Sequence, residues 1–173
     1  DQLGADVSAT FSFGAIANDD SVNVTPHLIV STAGGAINLT SNDILGSGQI
    51  TGFGFGSCTG TTPGTQLDAG AANGRLTLAA DGNFSYEPPA GVANTTRTFC
   101  YTVTGGDTAN VAFVIQNNEL VWFVDAAAAA GGIGTQARPF NALSAAGTAQ
   151  TANDTIYVAS HASPYTAGIT LLN

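Results

Sequence analysis

Residues 74–89 read GRLTLAADGNFSYEPP, and no other stretch limits the fold so tightly. Leu76 and Leu78 alternate with polar neighbours, as do Phe84 and Tyr86 further on. A period of two places each pair on one face of an extended strand. Between the pairs, Asp81-Gly82-Asn83 has tight-turn chemistry. Pro88-Pro89 closes the second strand because proline cannot donate to a sheet ladder. The phrase predicts an antiparallel hairpin with an apolar face.

Strand signals of the same kind fill most of the chain. SVNVTPHLIV reads as a strand broken at Pro26, and AINLT as a short strand ending in the turn SNDILG. QITGFGFGSC alternates Ile50, Phe53 and Phe55 with glycines. In TRTFCYTVTGGD, Phe99, Tyr101 and Val103 share one face and Cys100 takes the other. ANVAFVIQNN and ELVWFVD complete the set. Seven or so short strands, with turns about every 8–12 residues, predict an antiparallel sandwich of about 100 residues. VSATFSFGAIA, within residues 1–17, reads as a further strand or as the tail of a preceding module.

Only 9% of the residues are charged, against about 25% in an average soluble domain, while 44% are hydrophobic. Surface polarity must come from Thr, Ser, Asn and Gln, a mixture typical of secreted all-β proteins. The three basic residues, Arg75, Arg97 and Arg138, leave a formal charge of −9, which repels phosphate backbones and anionic lipid. No apolar run is long enough to span a bilayer. No signal peptide is visible, and the start at Asp1 suggests a piece of something longer. Two readings compete for Cys58 and Cys100: reduced thiols in a cytosolic protein, or a disulfide in a secreted one. The composition favours the disulfide. Closing a loop across 42 positions would stabilise the fold by roughly 4 kcal/mol.

The run NDDSVNV…AINLTSNDILG…GRLTLAADGNFSYEPPAGVANTTRTFCYTVT, over residues 18–118, resembles the bacterial Ig-like, cadherin-like repeat modules of large secreted surface proteins. The hairpin phrase DGNFSYEPPAG is the specific part. The resemblance implies a spacer or adhesive module without catalysis. The cysteine pair departs from the pattern, as does VTGG where many such modules carry an acid.

After Glu119 the pattern changes. Five alanines at 126–130 are too few to nucleate a helix, and Gly131-Gly132 would stop one, so the stretch from Asp125 reads as a loop that reaches a capping helix near Phe140. Phe140, Leu143 and Ala146 fall at helical spacing behind Pro139, predicting a short helix over 139–147. DTIYVA and PYTAGITLLN read as two more strands. WFVD…GGIGTQARPFNALSAA…NDTIYV over residues 119–173 resembles the N-terminal start of pectate-lyase-like right-handed β-helix domains, where such a helix caps the coil stack. The expected class is therefore all-β: an Ig-like β-sandwich, then a helix-capped start of a parallel β-helix.

Candidate chemistry is sparse. Asp19, Asp20, Asn42 and Asp43 lie in turns, and modules of the resembled kind sometimes bind Ca²⁺ between repeats. Calcium needs six to eight oxygens, and no dense D-x-D-x-D run exists here, so Asx-turns with their own backbone are the competing reading. His27 and His161 have no nucleophile or metal-ligand spacing beside them and read as structural. Asp125 and Asp154 read as loop residues rather than an acid–base pair. GGIGTQ lacks the lysine of a phosphate loop. Trp122 reads as a core anchor at the module junction rather than a sugar platform. Asn23, Asn38, Asn83, Asn94 and Asn153 head Asn-X-Ser/Thr triplets that arise readily in such a composition. The expected function is a non-catalytic structural or adhesive module of a bacterial extracellular surface protein, with no cofactor unless calcium. Its expected partners are neighbouring modules and a surface glycan or protein, with no nucleic acid and no membrane insertion. Two alternatives stand: an accessory part of a secreted β-helix polysaccharide-degrading enzyme, or a carbohydrate- or calcium-binding module. Ile169, Leu171 and Leu172 suggest an open C-terminal β-edge that frays or self-associates.

Overall fold

The computed structural model describes residues 14–160, 165 and 167–172. Among the described residues the chain is all-β apart from one short helix and one 3₁₀ turn. Its strands are β1 (Asp20–Val24), β2 (Val30–Ser31), β3 (Ile50–Gly54), β4 (Gln66–Asp68), β5 (Arg75–Leu78), β6 (Phe84–Glu87), β7 (Thr95–Val103), β8 (Thr108–Ile115), β9 (Val121–Val124) and β10 (Thr155–Val158). Helix α1 covers Leu143–Ala149.

One four-stranded sheet has the order β1-β8-β7-β3 and the other β2-β6-β5-β4. They share one core. Val24, Phe53, Phe99, Tyr101, Phe113 and Ile115 from the first meet Leu76, Leu78, Phe84 and Tyr86 from the second. The alternation on β8 is strict, with Ala109, Val111, Phe113 and Ile115 all buried. Tyr86 stacks on Phe113, with ring centroids 4.0 Å apart. The β5–β6 hairpin forms as expected, Leu76 opposite Tyr86 and Leu78 opposite Phe84. Gly82 takes the left-handed conformation its turn requires, and Asp81 Oδ1 accepts from the amide of Asn83.

Several expectations need correction. The first sheet is not purely antiparallel, because β1 runs parallel to β8. AINLT is not a strand: Asn38 Oδ1 accepts from both the amide and the hydroxyl of Thr40, holding the segment in a turn. β4, unforeseen, pairs with β5. The helix begins at Leu143, later than expected, because both backbone groups of Phe140 bond to the β9 ladder at Phe123 and Asp125. It runs past Gly147, whose missing side chain leaves room for Ile169. No strand forms over residues 167–172; there the side chain of Gln150 bonds to the carbonyl of Thr170 and the amide of Leu172. Of the strand expected within 1–17, residues 1–13 lie outside the described residues, and Ile16 makes a single bridge to Ile44.

β9 and β10 pair in parallel and form the third, two-stranded sheet. Trp122, Val124 and Ala146 make a second small core with Phe140, Leu143 and Ile156. The alanine run forms turns anchored by Asp125, whose carbonyl accepts from Ala128 and whose Oδ1 accepts from Ala127.

Candidate functional site

The joint between the two four-stranded sheets and the β9–β10 unit is built from several buried side-chain ties. His27 sits there fully buried, in the left-handed region at φ 64°. Its Nδ1 lies 3.0 Å from the carbonyl oxygen of Val121, and its Nε2 accepts from the Gly91 amide at 2.6 Å. Its ring meets Trp122 edge to face, with centroids 4.4 Å apart. The indole Nε1 donates to Asp154 Oδ2, which also accepts from the Thr151 amide and hydroxyl. Burial works to raise the Asp154 carboxyl, but these hydrogen bonds outweigh it and hold it below the usual range. For His27, burial dominates and lowers the imidazole, while Val121 and Asp154 oppose that.

Gln136 adds a second tie: its amide donates to the His27 carbonyl, and its Oε1 accepts from Ile29. The third is an ion pair. Glu87 Oε1 accepts from Arg138 Nε at 2.9 Å and from the buried Thr135 hydroxyl at 2.6 Å. Gly134, at φ 81°, lies against Trp122 and Phe140, which stack on each other, and leaves no space for a side chain. Trp122 and His27 carry the packing and hydrogen-bonding roles read from the sequence. Glu87, Gln136 and Arg138 were not read from it. The one available signal was charge scarcity: a lone acid closing a strand and a lone arginine on the connecting loop are natural partners in a chain with three basic residues.

The acidic turns do assemble, around a phenol. Tyr101 Oη lies within hydrogen-bonding distance of Asp43 Oδ2 (2.9 Å), Asp20 Oδ2 (3.2 Å) and the carbonyls of Asn18 and Leu39. One hydroxyl proton cannot serve four acceptors. Burial, then the charges of Asp43 and Asp19, raise the Asp20 carboxyl to about 7, against the lowering pull of Tyr101. Asp19 turns away and accepts from the Asn110 amide. Asn42 Nδ2 donates to the carbonyl of Asp19, and Asn18 N donates to Asp43 Oδ1. Among the described residues, no group of three His, Cys, Asp or Glu side chains is placed to hold a metal.

Cys58 and Cys100 form a disulfide. It ties the loop after β3 to the middle of β7. Beside it runs an open groove of about 550 Å³, lined by Phe55, Asn73, Thr96, Arg97, Thr98 and Asn110. Phe55 is half exposed and rests edge-on against Phe99. His161 lies outside the described residues. Among the described residues, no helix is long and apolar enough to cross a membrane. No protein-family model matches the sequence, and no curated protein matches it.

Proposed function

We propose that this chain is a non-catalytic structural module of a bacterial extracellular surface protein. In this reading an Ig-like β-sandwich continues into the helix-capped start of a right-handed parallel β-helix, and the chain acts as spacer and cap. The observation that carries it is the joint. A buried histidine, the only tryptophan, a glutamine bridge and a half-buried ion pair bind the two units through side chains that do no other evident work. Such a joint transmits orientation, which is what a spacer must do. The disulfide suits an oxidising compartment, and the parallel β9–β10 pair with α1 packed on it suits a first coil. Its partners are then the neighbouring modules of the same polypeptide.

A carbohydrate-binding reading draws on one observation, the groove beside Phe55. An exposed aromatic ring with Arg97, Asn110 and threonine hydroxyls is the usual chemistry of a sugar site. A glycan array and a calcium titration on the disulfide-bonded protein separate the readings. The spacer reading expects no submillimolar glycan and no calcium-induced rise in melting temperature. Tight glycan binding that Phe55→Ala abolishes would replace the spacer with a lectin-like role, and a calcium-induced rise would replace it with a calcium-binding one.

A further inference from the structure

We propose that the joint is an acid-sensitive catch, held closed by His27 only while its imidazole is neutral. The geometry fixes the tautomer. The Val121 carbonyl can only accept, so Nδ1 carries the hydrogen; the Gly91 amide can only donate, so Nε2 is bare. A second proton has nowhere to go but Nε2. There it would meet the Gly91 N–H at 2.6 Å, end that hydrogen bond and place a cation in a site closed to water.

The surrounding charges do not rescue the cation. Asp154 attracts it, but its Oδ2 is already taken by Trp122 and Thr151. Glu87 and Arg138, across the joint, neutralise each other. The groups that bond to or stack on the ring, from Gly91, Val121 and Trp122, do not titrate, nor does the Gln136 amide on the His27 carbonyl. Burial consequently lowers the proton affinity of His27. Opening the joint returns the ring to water, where its ordinary pKa of about 6.5 is restored. Between that value and the lowered one, the ratio of open to closed joint rises about tenfold for each unit of falling pH.

The sheets respond in the opposite direction. Asp20 is raised to about 7, so the protonated form favoured by acid is the one the folded sheets prefer. Falling pH therefore releases the β9–β10 unit while the two four-stranded sheets hold. The catch depends only on the joint's geometry and stands whether or not the chain serves as a spacer.

Trp122 is the only tryptophan and touches His27, so it reports on the joint directly. Acrylamide quenching of Trp122 and far-UV circular dichroism are to be followed from about pH 8 to about pH 4, across the imidazole range, in the wild type, His27→Gln and His161→Gln. We expect quenching to rise with a midpoint below about 6.5 while the β-sheet signal persists. The rise should survive in His161→Gln and vanish in His27→Gln. Flat quenching in the wild type, the same rise in His27→Gln, or collapse of the sheet signal at the same midpoint would overturn the proposal. Should His27→Gln fail to fold, the imidazole resonances of the wild type decide, assigned by difference from His161→Gln. His27 must titrate in step with Trp122 exposure, and titration of the ring in a still-closed joint would refute the catch.

Discussion

Replacing Asp20 by asparagine should stabilise the protein at neutral and alkaline pH. Asp20 and Asp43 both face the Tyr101 hydroxyl, which has one proton to give. The folded state therefore prefers Asp20 protonated, and its carboxyl moves from 3.8 to about 7. At about 1.4 kcal/mol per tenfold change in proton affinity, the full rise corresponds to about 4 kcal/mol. Asp20 is only half buried, and solvent screening reduces the figure to about 1–2 kcal/mol. The sign follows from linkage. The folded chain binds the proton more tightly than the unfolded one, so stability from this group is greatest in acid and is lost as pH rises from about 4 to about 7. Asparagine resembles the protonated acid and carries no charge to bury. Urea unfolding followed by far-UV circular dichroism should find Asp20→Asn more stable than wild type by about 1–2 kcal/mol above neutrality and equal to it near pH 4. Taking the difference between the two proteins removes the His27 contribution, which has the opposite sign. An asparagine variant less stable than wild type above neutrality would refute the account of the Tyr101 cluster.

Reducing the Cys58–Cys100 bridge, which closes a loop across 42 positions, should cost about 4 kcal/mol. Thermal melts with and without reductant measure it, and an unchanged melting temperature would contradict the prediction. Arg138→Ala leaves Glu87 buried without its cation and should cost about 3 kcal/mol in urea unfolding, and Glu87→Gln in the same background should recover part of it. A single-variant loss below about 0.5 kcal/mol would show the pair to be incidental. Gly134→Ala drives a methyl group into Trp122 and Phe140 from a left-handed backbone, and should lower stability by about 2 kcal/mol or more with a shift in tryptophan emission. An unshifted emission would mean that the joint packs otherwise.

What was legible in the sequence was what short-range periodicity controls. The β5–β6 hairpin, the face of β7, and the existence of strands at β8, β9 and β10 follow from alternation and turn residues, while the parallel pairing of β9 with β10 was implied only by the resemblance. The cysteine pairing was legible from composition, since only two thiols exist. The rest depends on distant partners. β4 has only Leu67 to mark it and becomes a strand because β5 offers a ladder. Asn38 looked like part of a strand until its side chain captured Thr40. The helix start moved because Phe140, apolar and helix-compatible, is claimed by β9. Asp20 and Asp43 are more than twenty positions apart and meet only because Tyr101 stands between them. Glu87 and Arg138 are separated by 51 positions, and no local pattern links them.

The central claim is that the joint makes one rigid body of the two units at neutral pH. Backbone ¹⁵N relaxation at neutral pH measures this directly, comparing amides of β7 and β8 with those of β9 and β10. The account predicts one rotational correlation time for both sets. Two separate times, with the β9–β10 amides tumbling faster, would contradict it.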